Sequence, residues 1–245
     1  MTIRLADRGI RVVLLDIEGT TTPIAFVHDV LFPFARAHLA AFLRAHAGDA
    51  EMAEVRRLLA REYADDLARG ETVPDGAFDS IDTIAPYVTW LMDRDRKSPG
   101  LKLLQGQIWE AGYRAGELRG QVYPDVPPAI RRWHAAGLGV AIYSSGSELA
   151  QRRLFESTEH GDLTPLLSGF FDTGVGAKVA SESYGRIAAA LDAPPPAILF
   201  VSDVTRELTA AREAGVQVVL SLRPGNSAQP GSEAFERVES FEELK

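Results

Sequence analysis

Cysteine is absent from this chain of 245 residues. Disulfides, thiolate metal sites and cysteine nucleophiles are therefore excluded, so any chemistry must run on oxygen and nitrogen groups. Basic residues are in deficit: 26 Lys plus Arg stand against 34 Asp plus Glu, a formal net charge of −8. A protein held to nucleic acid by phosphate contacts carries the opposite balance, and no nucleic-acid partner is expected. No apolar run approaches the ~20 residues that span a bilayer. Residues 1–8 are mixed and charged rather than a basic stretch leading into an apolar one. No membrane partner is expected, and the chain reads as cytoplasmic. The five histidines, His28, His38, His46, His134 and His160, are scattered without zinc-like spacing. Also missing are a Gly-x-Ser-x-Gly elbow around Ser144 or Ser145, a Walker A loop, and a Gly-x-Gly-x-x-Gly turn after a strand.

What is present has a clear rhythm. Val12-Val13-Leu14-Leu15 is continuously apolar, which reads as a strand buried on both faces of a parallel sheet. It stops at Asp16, and residues 16–23 form a loop at its carboxyl end. From about residue 25 to 120 the texture is helical. Leu31, Phe34, Leu39, Phe42 and Leu43 fall mostly at helical spacing, as do Val55, Leu58, Leu59 and Tyr63. A further helix carries Trp90 and Leu91, with Ser80 or Asp82 as its cap and Pro86 near its start. Pro99 opens another, with Leu103, Leu104, Ile108 and Trp109. Beyond Tyr123-Pro124-Asp125 helices and strands alternate. Helices are expected at 129–136, 149–155, 182–191 (capped by Ser181) and 206–214, and strands at 138–143, 197–201 and 216–222, with a short extended piece at 170–172. The tail from Ser227 is polar. One strand, a helical block, then alternating strands and helices predict an α/β fold. The expected architecture is a doubly wound parallel sheet, residues 1–20 and 121–245, with an α-helical cap subdomain, residues 21–120, inserted after the first strand.

Ligands of an open parallel sheet bind beyond the carboxyl ends of its strands. Here those ends carry Asp16 and Glu18, then Ser144 and Ser145, then Asp203, and a loop between the last two contributes Lys178. Asp16, Glu18 and Asp203 make three acids, which repel unless a cation neutralises them. Magnesium takes oxygen ligands and completes its shell with water and substrate phosphate. Ser144 or Ser145, nearby N–H groups and Lys178 can donate to phosphoryl oxygens. A carboxylate can then attack phosphorus, and a second acid can protonate the leaving oxygen and later activate water. Taken singly, each feature has a plainer role. An Asp after a strand forms a turn, a serine cluster caps a helix, a lysine is solvated, and Glu207 is a first-turn helix acid or a partner of the site. Their coincidence on one edge points to phosphoryl transfer.

These residues resemble the four motifs of the haloacid dehalogenase superfamily. Asp16-Ile17-Glu18-Gly19-Thr20 is similar to the first, Ser144 to the second, Lys178 to the third, and Ser202-Asp203 with Glu207 to the fourth. Glu18 departs from the Asp that most phosphatases of the superfamily carry there. The run from Asp16 to Val27 is similar to the enolase-phosphatases of methionine salvage. So are Leu31-Phe32-Pro33-Phe34, Gln105-Gly106-Gln107-Ile108-Trp109, Tyr143-Ser144-Ser145-Gly146-Ser147, Ser181-Glu182-Ser183-Tyr184, Asp203-Val204-Thr205-Arg206-Glu207 and Arg223-Pro224-Gly225-Asn226. The likeness spans nearly the whole chain. It implies one magnesium ion per chain held by Asp16, Glu18 and Asp203, with Asp16 as nucleophile. Glu18 would serve as acid and base, its backbone carbonyl being an alternative metal contact. Ser144, Ser145 and Lys178 would bind substrate phosphate. The implied reaction turns a small phosphorylated diketone, 2,3-diketo-5-methylthiopentyl 1-phosphate, into 1,2-dihydroxy-3-keto-5-methylthiopentene and phosphate, and a monomer is expected. Two other readings stay open. One is a different phosphatase or phosphomutase of the superfamily. The other is a receiver-type signalling module, which needs its acceptor Asp after the third strand and is about half this length.

Overall fold

The computed structural model describes residues 2–76, 78 and 81–245. The chain forms two compact units, Met1–Val27 with Leu118–Lys245, and His28–Glu117.

In the first unit, β1 (Val12–Leu15) is apolar throughout because both of its faces are covered: all four residues are buried. It pairs in parallel with β2 (Gly139–Tyr143) on one side and β4 (Ile198–Ser202) on the other. With β3 (Gly169–Phe171), β5 (Gln217–Ser221) and β6 (Arg237–Val238) the sheet runs β3-β2-β1-β4-β5-β6, every pair parallel. Alternate residues Val12, Leu14, Ala141, Tyr143, Ile198 and Phe200 share one core with side chains of α8 (Ser181–Ala190) and α9 (Thr205–Glu213), among them Tyr184, Ile187 and Leu208. The intervening Val13, Leu15, Val140, Ile142, Leu199 and Val201 are equally buried, so the opposite face is covered too. The chain leaves β1 towards β2 and β3, then returns to the other side of β1 at β4. That reversal places a crevice beside the carboxyl end of β1, where open α/β sheets bind ligands.

Several boundaries differ from expectation. Helix α6 (Val126–Ala135) starts three residues early, because Pro127 and Pro128 fit a first turn whose N–H groups have no intrahelical partner. α7 (Glu148–Glu156) is capped by Ser147, whose Oγ accepts from the Ala150 N–H at 3.3 Å. Ser181 is the first residue of α8 rather than its cap; Ala180 holds the cap position. β6 lies in the tail read as merely polar. Only Val238 of its two residues is buried, too little for an alternating pattern to register.

The second unit holds α2 (Phe32–Ala45), α3 (Ala50–Ala68), α4 (Ile81–Asp93) and α5 (Pro99–Arg114), after a short α1 (Ile24–Phe26) in the first unit and a π-helical turn at Val27–Leu31. Ile24–Ala45 is long and apolar enough, by length and composition, to cross a membrane. Its Ala35, Leu39 and Leu43 are instead buried among Val55, Leu59, Ile84, Tyr87 and Leu104 of the other helices. Pro86 lies inside α4 rather than in its first turn. Ser80 and the side chain of Asp82, the expected caps, lie outside the described residues. Ser98 caps α5, its Oγ accepting from the Leu101 N–H at 2.9 Å. Against α3, Gly100 permits a close crossing: a Cβ there would lie 2.8 Å from Leu59 Cγ. Buried Asp66 accepts from the Tyr87 hydroxyl and Arg96 Nη2, each at 2.7 Å, and from Arg69.

Candidate active site

The ladder between β1 and β4 continues one bond past the strand, as Asp16 N–H donates to Val201 O at 3.0 Å. This pins the Asp16 backbone at the crevice. The chain then curls: Ile17 O accepts from the N–H groups of Thr20, Thr21 and Thr22 at 2.9–3.2 Å. Gly19 closes the curl at φ +65°, the left-handed region that glycine enters without steric cost. Thr21 Oγ1 donates to Asp16 O at 3.0 Å.

The Asp16 side chain is buried and engaged on both oxygens. Its Oδ1 lies 2.6 Å from Lys178 Nζ and accepts the Ile17 N–H at 2.7 Å; its Oδ2 lies 3.0 Å from Ser202 Oγ. Lys178 also reaches Glu207 Oε2 at 2.6 Å. The loop bearing Lys178 is held from below by two tyrosines. Tyr184 donates to Lys178 O at 2.7 Å and Tyr143 to Gly176 O at 2.9 Å. Burial works against the charged ammonium, but Asp16 and Glu207 outweigh it, and the Lys178 pKa is raised. Ser202 Oγ sits 3.0 Å from Asp16 Oδ2 and from Glu207 Oε2. Its single proton can serve only one of them at a time.

Burial and the nearby charge of Asp16 push the Asp203 carboxyl up to about 7. The same two causes push Glu207 to about 7. The Asp203 carboxylate packs onto the bare backbone of Gly19, where a Cβ would lie 2.4 Å from its Oδ2.

β1 and β2 are neighbours with Leu15 opposite Ile142, so Ser144 and Asp16 follow adjacent strands at the same edge. Ser144 is buried and Ser145 exposed. Their turn is fixed by Gln151 of α7, whose Nε2 donates to Gly146 O and Phe171 O, each at 2.8 Å.

The structure thus gathers Asp16, Lys178, Asp203 and Glu207, with Ser202 between two of the acids. The Glu18 side chain is exposed, and its charge is among those that raise the Asp203 carboxyl. Among the described residues, no three His, Cys, Asp or Glu side chains stand where they could hold one ion. Gln151 had no signal in the sequence, since a glutamine that holds backbone carbonyls follows no fixed spacing. Glu207 had a weak one, four residues past Asp203 in the first turn of α9. All the donors here are oxygens, and two buried carboxylates that repel each other suit a hard divalent cation with water in its shell. Such a cation would have Asp16 and Asp203 as its side-chain ligands.

The profile of the haloacid dehalogenase-like hydrolases matches residues 10–215. The enolase-phosphatase E1 of Synechococcus elongatus is 52% identical over 236 residues, 96% of this chain and 98% of that protein. A Populus trichocarpa protein named as a probable bifunctional methylthioribulose-1-phosphate dehydratase/enolase-phosphatase E1 is 47% identical over 242 residues, 96% of this chain and 47% of that longer one. Among solved structures, the UTR4 protein of Saccharomyces cerevisiae superposes with a TM-score of 0.76 at 30% identity, covering 95% of this chain and 99% of that one. The chain belongs to the haloacid dehalogenase-like hydrolase family, in its enolase-phosphatase branch. It is a phosphatase, and hydrolases of this kind generally use magnesium.

Proposed function

We propose that this chain is the enolase-phosphatase of methionine salvage. It enolises 2,3-diketo-5-methylthiopentyl 1-phosphate, then dephosphorylates the enol to 1,2-dihydroxy-3-keto-5-methylthiopentene. The observation that carries the phosphatase half is the buried Asp16 carboxylate at the end of the central strand, 2.6 Å from Lys178 Nζ. The diketone substrate is supported by the 52% identity to an enolase-phosphatase over nearly the whole chain. It is supported too by the dehydratase of methylthioribulose 1-phosphate named together with this activity in the Populus relative.

In this reading an Asp16 oxygen attacks phosphorus. The bond from phosphorus to Asp16 forms as the ester P–O bond breaks. The departing enol oxygen takes a proton from Glu18, whose exposed carboxyl is open to solvent. Glu18 then takes a proton from the water that hydrolyses the aspartyl phosphate. Lys178, Ser144 and Ser145 bind the phosphoryl oxygens, with Lys178 held in place by Glu207. Asp16 and Asp203 would hold one magnesium ion per chain, with Glu18 contributing its backbone carbonyl. When bound, that ion supplies positive charge to the phosphoryl and diketone oxygens. The helical unit His28–Glu117 is the cap of this architecture, and the chain acts as a cytoplasmic monomer.

Purified protein with magnesium and the diketone phosphate should release inorganic phosphate and build the ultraviolet absorbance of a conjugated enediol. Absence of phosphate release would overturn the assignment. Asp16→Asn should lower phosphate release by about a thousandfold or more, and EDTA should abolish it.

A further inference from the structure

The end of β5 and the segment after it have no part in the phosphoryl chemistry described above, yet they grip the loop that carries it. Ser221 Oγ and Asn226 Nδ2 both donate to Gly19 O, at 3.3 and 2.9 Å. Arg223 Nε donates to Thr20 O at 3.0 Å. The orientation of the Asn226 amide is fixed by its partners. Gly19 O and, at 3.4 Å, Ser221 O are both acceptors, so the nitrogen must face them. The amide oxygen is left on the other side, and Asn226 Oδ1 is buried without a hydrogen-bond partner. A Cβ built on Gly19 would lie 2.9 Å from Asn226 Oδ1 and 2.4 Å from Asp203 Oδ2. An amide oxygen and a carboxylate oxygen therefore converge over one glycine, both acceptors. Burying such an acceptor unsatisfied is costly. A cavity of about 550 Å³ opens here, lined by Asp203, Ser221, Arg223 and Asn226 among others.

We propose that Asn226 is a positioning residue for the divalent cation. Its amide nitrogen fixes the Gly19 carbonyl, and its amide oxygen accepts a hydrogen bond from water in the shell of an ion held by Asp16 and Asp203. The inference rests on the reading of those two acids as cation ligands. In this arrangement Asn226 touches the water and the loop, not the ion.

The test is calorimetric titration of metal-free protein with magnesium chloride alone, so that binding is read without turnover. Asn226→Ala should weaken magnesium binding about tenfold to a hundredfold, the usual loss when a partner that orients a metal's ligands is removed. Ser221→Ala loses one bond to Gly19 O but keeps the Asn226 amide, and its loss of affinity should be clearly smaller. Equal losses in the two variants would overturn the role of the amide oxygen and leave only a loop clasp. If Asn226→Ala fails to fold by circular dichroism, Asn226→Gln, which displaces the amide by one methylene, takes its place with the same expectation. Should the wild type bind no magnesium, the reading of Asp16 and Asp203 fails and the inference falls with it. Wild-type binding with unchanged affinity in the variant overturns the inference alone.

Discussion

Lys178 is a buried cation between the buried Asp16 and the half-buried Glu207, and it bears on the fold of the first unit as well as on the chemistry proposed for it. Its Nζ lies 2.6 Å from both Asp16 and Glu207. Removing one member of such a group leaves the others charged in a place that solvates them poorly, at a cost of about 3–5 kcal/mol. Lys178→Met should therefore lower the unfolding free energy by about 3 kcal/mol in a denaturant titration at pH 8, besides abolishing phosphate release. A variant as stable as the parent would show that the acids find other relief. Asp16, Lys178 and Asp203 were legible in the sequence because each is a polar residue breaking an apolar or glycine-rich stretch at the same predicted edge. Asn226 stood in a run that resembled the family, but its role did not. Gln151 gave no sign at all. Both act by hydrogen bonds to backbone carbonyls, and which carbonyls come within reach is decided by the folded loops. Glu18 was read from the same spacing as Asp16, but the curl closed by Gly19 leaves its side chain exposed.

Elements were legible in proportion to how much apolar pattern each one carries. β1, β2 and β4 bury nearly every residue and announced themselves. β6, two residues long with one exposed, did not. Prolines misled in both directions: Pro127 and Pro128 sit inside the first turn of α6, and Pro86, read as near the start of its helix, sits within α4. The crossing of α3 and α5 depends on a detail no periodicity reveals. A Cβ built on Gly100 would meet the Leu59 side chain at 2.8 Å and the Leu59 backbone nitrogen at 3.1 Å. The side chain can shift, but the backbone resists. Gly100→Ala should destabilise the protein by about 1–3 kcal/mol, the usual cost of overpacking. Thermal unfolding checks this, and an unchanged melting temperature would mean that the two helices part without penalty.

At the scale of the whole molecule, the two units are held together internally by different means. The first is a sheet with apolar residues on both faces. The second is a helical cluster with a charged centre at Asp66, whose carboxylate accepts from Tyr87, Arg96 and Arg69. Burial alone would raise the Asp66 pKa, but the bonds from Tyr87 and the two arginines outweigh it, and the pKa is lowered. A carboxyl whose pKa falls on folding stabilises the native state fully above its unfolded value of about 3.8, and that contribution is lost as pH falls from there through the lowered folded value. Asp66→Asn should cost about 2–3 kcal/mol at pH 7 by leaving buried donors poorly matched, and less at pH 3. Denaturant titrations at the two pH values check this, and a loss independent of pH would assign the effect to packing instead. Fold class was readable because the order of elements alone demanded a parallel sheet. The hub at Asp66 was not, since its partners come from three separate helical and loop segments.

The placement of β1 has a consequence for how the chain is made. It is the strand nearest the start, yet it lies between β2 and β4, pairing Leu15 with Ile142 on one side and Val201 on the other. During synthesis β1 leaves the ribosome long before either neighbour exists. The helices of His28–Glu117, whose contacts are closer in sequence, emerge next and can form while it waits. Both edges of the strand that carries Asp16 stay open until β2 is made, and one stays open until residue 198 has been added. Order of synthesis therefore leaves one edge of β1, the strand that leads into Asp16, open until most of the chain has been made.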